Sequence, residues 1–501
     1  MGLVDVIKGI GGRLKGMFLG RTTIEKKMKV QTVISKKMEE SIQLWGEMYM
    51  NHPPWEGEVE HGACMNLPSA VCSEFARLIL TEFDFSLDGN DMSDFIKLQM
   101  KSLLRPDNIV KYVEAYSAYG GIVFKPYVKS VDGNGIPNRI GIDVLYANEF
   151  YPLAFDDDMV TSAIFVDSLK KQRYMYTRLE MHTWTPEKYT VVNKAFRSEE
   201  IYNFTDTETA GDNVRDRFRE EIPLTDVEEW EGIQPEVEIA NIETPLFVYI
   251  KVPVPNTSDP KSPLGASVFH RAETDFREAD KKYGGFVWEY EAKKAKIFAD
   301  STMFDEERDE KGNLNLTGID QKLFRLLHSD TSLNEGTKNL IEPYSPEIRD
   351  TAWVNGLNED LRQIEFKCGL AYGTLSHTTE VEKTAEEIRM SKQRSYHSVN
   401  LMQQAWDDGL KELCQVLKTY CRLYGIVADA DVEPVITWGD GVLQDTDKEL
   451  QIRMQLANSG YLRKEYVTSY WFGCSPEQAL EEYMPADVPD AEERFPFTGN
   501  S

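Results

Sequence analysis

The chain has 501 residues, 41% hydrophobic and 11% aromatic, enough to bury a large core in more than one subdomain and to exclude wholesale disorder. Its 84 Asp and Glu against 56 Lys and Arg leave a formal charge of -28, which excludes a conventional groove-binding DNA protein but not one past which DNA must slide. Six cysteines without a C-x-x-C pair exclude a disulfide scaffold and predict buried thiols in a reducing compartment, and no apolar run approaches the ~18 residues of a membrane span.

Residues 1–20 are amphipathic and basic, with Leu3, Ile7, Ile10, Leu14 and Phe18 set against Lys8, Arg13 and Lys15. Asp5 breaks a presequence pattern and Val6 a myristoylation pattern, so the segment reads as a structural or partner-docking helix. Helical periodicity covers 30–50, 69–81 and 91–117, with turns around 51–55 and 87–91. At Gly120 the period changes. Segments 122–128, 140–146, 163–167, 173–184 and 189–196 read as strands of a mainly antiparallel region, with a hairpin turn at Asp132-Gly133-Asn134-Gly135.

Residues 205–243 are acidic and read as a solvated insert before a strand at 246–252. Gly265-Ala266-Ser267 then opens a long helix, with Ser267 as its cap and a stripe of Phe269, Ala272, Phe276, Ala279, Tyr283, Phe286 and Tyr290. Gly284-Gly285 interrupts it, as a kink or a close packing contact. Short strand-like pieces follow up to Pro343, and a third helix is predicted over 346–368 with Trp353, Leu357, Leu361 and Ile364 on one face. A Gly- and Thr-rich loop at 369–379 leads into one uninterrupted helical pattern over 381–424. Its stripe includes Val381, Ala385, Ile388, Tyr396, Val399, Met402, Trp406, Leu410, Leu413, Leu417 and Tyr420. At 1.5 Å per residue it spans roughly 65 Å, so it needs neighbours along most of its length, from this chain or from copies of it. The C-terminal part holds a strand at 434–438, two or three short helices over 445–483 and an acidic tail.

Chemistry is hard to find. No segment has the G-x-x-x-x-G-K-S/T pattern that cradles phosphate, and Ser267 lacks the second glycine of a nucleophile elbow. The seven histidines are scattered without zinc-like spacing. Asp156-Asp157-Asp158 has the residue type for a hard cation but lies between two predicted strands, where an acidic turn is the ordinary reading. In 305–320, Lys311 stands where a calcium loop needs an oxygen ligand. No catalytic residue, metal site or cofactor is expected.

The order of segments, together with Pro245-Leu246-Phe247-Val248-Tyr249-Ile250-Lys251, Pro263-Leu264-Gly265-Ala266-Ser267, Asp280-Lys281-Lys282-Tyr283 and Glu289, resembles the portal proteins of tailed phages of Gram-positive bacteria, in the SPP1-like group. Gly369-Leu370-Ala371-Tyr372-Gly373-Thr374-Leu375 leading into Glu382-Lys383-Thr384-Ala385-Glu386-Glu387 is similar to the K-T-A-T-E segment of those portals, with Glu386 in place of the threonine. The resemblance runs over 28–484.

The resemblance implies an α+β, ring-forming portal fold with wing, stem, clip and crown regions. Residues 1–119 would be the helical part of the wing, 120–255 its β-rich part, 256–296 a stem helix, 297–342 the clip and 343–368 the second stem helix. The tunnel loop would span 369–382, the long wing and crown helix 383–425, further crown or wing helices 426–484, and a flexible acidic tail 485–501. Twelve copies would ring a channel for double-stranded DNA at one capsid vertex of the virion, after assembly in the host bacterial cytoplasm. The loop residues Tyr372, Gly373, Thr374, Leu375, Ser376, His377, Thr378, Thr379 and Lys383 would line the bore. Lys383 has two readings, a basic ring that steadies the duplex or a solvated pair with Glu387. Implied partners are the terminase large subunit, head-completion or adaptor proteins, and the major capsid and scaffolding proteins, with no membrane. A capsid-associated structural protein without a channel and a metal-dependent hydrolase are the alternatives.

Overall fold

In the computed structural model, which describes residues 21–133, 136–157, 159–199, 218–294, 296–300, 324–327, 341–344, 347–377, 385–439, 446–472 and 479, the chain is α+β. It divides into two units, Met1–Asp440 and Gly441–Ser501. The first unit opens with α1 (Arg21–Met28), α2 (Lys36–Tyr49), α3 (Leu67–Ile79), the short β1 (Asp84–Ser86), α4 (Asp91–Met100) and α5 (Pro106–Tyr119). Side chains cap two of these helices: Ser35 Oγ accepts from Met38 N at 3.0 Å and Asn90 Oδ1 from Ser93 N at 2.9 Å. The run predicted over 91–117 is two helices because Pro106 starts the second one. A proline cannot donate its backbone N–H, and it drives the preceding Arg105 into an extended conformation.

Gly120 ends α5 in the left-handed conformation (φ 80°), and the chain enters β2 (Gly121–Val131) and β3 (Pro137–Tyr146). These pair antiparallel with β10 (Val248–Lys251) in the order β10-β2-β3. A second sheet runs β4 (Phe150–Asp156), β5 (Met159–Lys171), β6 (Tyr174–Trp184), β7 (Lys188–Glu199), β8 (Glu220–Ile222), with β9 (Glu236–Ala240) also on β7. The last two strands correct the expectation of a solvated insert over 205–243. Residues 201–217 lie outside the described residues, but from Phe218 onward the segment docks on β7 and buries Phe218, Leu224, Val227 and Trp230. Its acids mislead because they sit on the outward face, where Glu220 pairs with Arg197 and Glu238 with Lys188.

The next helix, α6, runs Glu273–Ala292 and starts later than Gly265-Ala266-Ser267. Ser267 is not its cap: the side chain is fully buried and Oγ donates to Ser117 O at 3.3 Å, tying the segment to α5. Strands β11 (Lys296–Asp300), β12 (Phe324–Leu327) and β13 (Ile341–Tyr344) form a small separate sheet in the order β12-β11-β13, and α7 (Asp350–Cys368) returns antiparallel to α6. After the loop comes α8 (Ala385–Tyr424), and β14 (Val435–Thr437) pairs with β1 near the start of the chain. The second unit contributes α9 (Thr446–Asn458) and α10 (Lys464–Phe472).

The stripe of α8 is covered largely by its own chain, which removes one argument for copies. Val399, Met402, Trp406, Leu410, Leu413, Leu417 and Cys421 are buried against α3, α4, β2 and β10, with Trp406 meeting Tyr116 and Phe124 edge-on. Val381 lies outside the described residues and Tyr396 is exposed. Of the cysteines, Cys72, Cys368, Cys414 and Cys421 are buried free thiols and Cys64 is half-buried, while Cys474 lies outside the described residues. On the same helix, burial and then Asp408 push the Glu412 carboxyl up to about 7. Folding therefore holds a proton there between the ordinary value of 4.5 and about 7, and stability falls as pH rises through that window. Glu412→Gln is expected to raise the thermal midpoint at about pH 8 and to leave it nearly unchanged at about pH 4. Equal shifts at both pH values would contradict this.

Candidate functional site

The α6–α7 pair is held by carboxylates at half-buried and buried positions. Lys282 meets Asp360 at 2.7 Å and Lys367 meets Asp275 at 2.5 Å, so the helices are tied along their length. Asp280 accepts the Trp55 indole N–H at 2.9 Å and Met65 N at 2.8 Å, which binds α6 to the N-terminal helical part. Gly284-Gly285 is a packing contact. A Cβ at Gly284 would lie 2.7 Å from Val59 Cγ1, and one at Gly285 2.8 Å from Trp353 Cη2. At the far end, Glu289 is buried, and its carboxylate accepts from Arg349 Nη2 at 2.9 Å, Lys293 Nζ at 2.5 Å and Trp353 Nε1 at 2.5 Å. These donors, Arg349 foremost, hold its pKa well below the usual carboxylate range. The clamp closes the helix pair just where the chain leaves for, and returns from, the β11–β13 sheet.

At the opposite end of α7, Gly369 takes the left-handed conformation (φ 79°) and begins the loop. Glu365 organises it. The side chain is fully buried, and Oε1 accepts from Leu375 N at 2.5 Å and Ser376 N at 2.8 Å while Oε2 accepts from Ser376 Oγ at 2.8 Å. Gly373 N adds a longer bond at 3.2 Å. Asn358 brackets the next residue, accepting from His377 N at 2.6 Å and donating to His377 O at 3.1 Å. From α8, Ser395 Oγ accepts from Ala371 N at 2.6 Å, and the Arg394 guanidinium lies over the rings of Phe366 and Tyr372.

Of the residues expected to line a bore, Tyr372 and His377 are exposed, Gly373 is exposed with its N–H turned to Glu365, and Thr374 donates its hydroxyl to Ala371 O at 2.7 Å. Leu375 is half-buried and Ser376 is buried. Thr378, Thr379 and Lys383 lie outside the described residues. The structure thus brings 372–377 together as a shelf hydrogen-bonded to α7, next to α8. Sequence reasoning missed Glu365. Its signal was a charge on the buried stripe of α7, between Leu361 and Cys368 at helical spacing. Asp280, next to Ala279 on the stripe of α6, carries the same signal.

One arrangement imitates an acid-base relay. In the second sheet Tyr189 OH lies 2.6 Å from His182 Nδ1, and His182 Nε2 lies 2.9 Å from Glu180 Oε1. Glu180 Oε2 accepts from Lys125 Nζ at 2.5 Å and Arg178 Nη2 at 3.2 Å. Burial opposes the Glu180 charge, but Lys125, His182 and Arg178 outweigh it and hold the pKa well below the carboxylate range. Burial lowers the His182 pKa and keeps the ring neutral. Both ring nitrogens are engaged and His182 is buried, so no substrate atom can reach it: the network is a buried polar core. Asp156 ends β4 opposite Met159, Asp157 turns with φ 51°, and Asp158 lies outside the described residues. Among the described residues no group of three or more His, Cys, Asp or Glu could hold a metal ion.

Compared with known families, residues 61–484 match the model described as phage portal protein, SPP1 Gp6-like. With most of its length matched, the chain belongs to the phage portal protein family. No curated protein matches it. The family is structural and non-enzymatic, a component of the virion, and among the described residues no helix is long and apolar enough to cross a membrane.

Proposed function

We propose that the chain assembles as a ring of twelve around an axial channel through which double-stranded DNA enters the capsid during packaging and leaves during ejection. Helices α6 and α7 form the stem, the β11–β13 sheet belongs to the clip that meets the terminase and the neck proteins, the two larger sheets and α8 form the wing, and 426–484 contributes to the crown. The capsid and scaffolding proteins surround it. The observation that carries this reading is one helix, α7, with the small sheet at its N-terminal end and the anchored polar loop at its C-terminal end, within a chain of this family. At 1.5 Å per residue its 19 residues set the two ends about 28 Å apart. The loop would be the tunnel loop. The exposed Tyr372 and His377 present a phenol and an imidazole that would make weak contacts to phosphate without sequence preference, which suits a moving strand.

Exposed apolar side chains support association between copies. Trp288 and Tyr290 on α6 and Val354 and Phe366 on α7 are large hydrophobics left open in the single chain. A ring places them against neighbours through head-to-tail contacts that close. Native mass measurement is expected to find twelve copies of the 57.4 kDa chain, with closed rings in negative stain. Trp288→Glu together with Val354→Glu should yield folded monomers. A wild-type chain that stays monomeric at every concentration would overturn the proposal and favour a capsid-associated protein without a channel.

A further inference from the structure

On a chain of charge -28, one concave surface is lined by cations and by no carboxylate. It is a cleft of about 550 Å³ between the α4–α5 connection and the β2–β3 hairpin. Lys101 and Arg105 stand on the helical wall, and Lys129 and Arg139 on the strand wall. Arg105 shares its charge with the exposed Asp107, whereas Lys101, Lys129 and Arg139 make no ion pair among the described residues. Elsewhere the chain commonly pairs its cations with nearby acids, as at Lys97 with Asp88 and Lys125 with Glu180. These three exposed cations, gathered on one concave surface of so acidic a molecule, offer complementary charge to an anionic group from outside.

The cleft is built rather than accidental. Its floor is pinned where Gln99, mostly buried on α4, accepts from Ile140 N at 3.0 Å with Oε1 and donates to Phe95 O at 3.2 Å with Nε2. The Tyr127 ring lies across Gly141 on the neighbouring strand, where a Cβ would sit 2.5 Å from the ring. A side chain at this position would push the ring out of its place in the wall. Tyr112 faces the same space, and Leu98 on the rim is 64% exposed.

The geometry points to a docking cleft for an extended, acidic peptide segment of a partner protein, one that alternates Asp or Glu with apolar residues. A duplex is a poor fit, because its phosphates lie on a convex surface and proteins read it by inserting elements into its grooves. An extended peptide fits both features: it carries side chains on both sides of its backbone, so its acids reach the cations that stand on either wall while its apolar residues meet Tyr112, Tyr127 and Leu98. The volume lies within the ~300–1,000 Å³ of ordinary ligand sites and suits a short segment. The negative field of the whole chain opposes approach, so recognition acts at contact range, inside the Debye length of about 8 Å at physiological salt.

The test uses the full-length protein and a short fluorescein-labelled peptide of alternating Asp and Leu, read by fluorescence anisotropy at about 0.15 M salt. Competitors are the same peptide with Asn for Asp, oligothymidylate and inorganic phosphate. The acidic peptide is expected to bind and the Asn version not to compete. Lys129→Gln with Arg139→Gln should weaken binding by roughly tenfold while leaving the thermal midpoint unchanged. Gly141→Ala, which pushes the Tyr127 ring away, provides a second and uncharged variant and should also weaken it. The proposal fails if the wild type does not bind the peptide, if the double variant binds it equally well, or if oligothymidylate or phosphate displaces it more effectively than unlabelled acidic peptide does.

Discussion

Replacing Glu365 with alanine is expected to free the loop at 373–376 and to impair DNA translocation while rings still form. The carboxylate is buried and serves three backbone N–H groups and one hydroxyl, so its removal strands several donors at once. Unsatisfied buried donors cost about 1–3 kcal/mol each, and hydrogen bonds to a charged acceptor are the stronger kind. The loop recovers part of that cost by opening to water, leaving a net loss of about 3 kcal/mol. Amide hydrogen exchange gives the direct reading: Leu375 and Ser376 should lose protection in Glu365→Ala and keep part of it in Glu365→Gln, whose carbonyl still accepts. Unchanged protection in the alanine variant would show that Glu365 does not hold the loop. In an in vitro packaging assay the alanine variant should package markedly less DNA. Shortening the chain between Gly373 and Glu380 should do the same with rings intact, and normal packaging by that variant would remove the bore from this loop.

The second large effect lies where three backbones meet. Gly120 O accepts from Val252 N at 3.0 Å, and Gly265 packs directly on Gly120. A Cβ at Gly265 would run into the Gly120 carbonyl oxygen and lie 2.9 Å from Val252 N. Neither neighbour is a flexible side chain, so Gly265→Ala must separate α5 and β2 from the segment that leads into α6. Overpacking of this kind costs about 3 kcal/mol, and more where backbone has to move. The expected result is a lowered unfolding midpoint in denaturant with an unchanged slope, accompanied by poor ring yield. Alanine at Gly232, where no atom lies within 4 Å, is the control and should be nearly silent. A Gly265→Ala protein as stable as wild type would mean that this crossing is looser than its geometry states.

Several elements were legible before any contact was known. The stripe of α8 and the strands β2, β3, β5, β6 and β7 follow from apolar periods of three to four and of two, which depend only on neighbouring residues. The polar loop after α7 and the lack of catalytic spacing were readable in the same way. The short β1, β8 and β9 were not. Their few residues carry too little pattern, and they exist because a partner strand in β14 or β7 supplies the ladder. Segment 218–240 was misread because its acids hide Trp230 and Leu224, which pack beneath β7.

By itself the sequence determined an acidic α+β chain of long helices and antiparallel strands, without catalytic spacing and with the motif order of a portal protein. Local period, charge and residue order are properties of the chain alone. Only the tertiary structure decided that α8 is covered by its own chain, that Gly284 and Gly285 are close contacts rather than a kink, and that Asp280, Glu289 and Glu365 are buried acceptors that hold helices and loop in place. The reason is physical: whether a carboxylate is a solvated charge or an anchor depends on which donors surround it, and those donors come from residues distant in sequence.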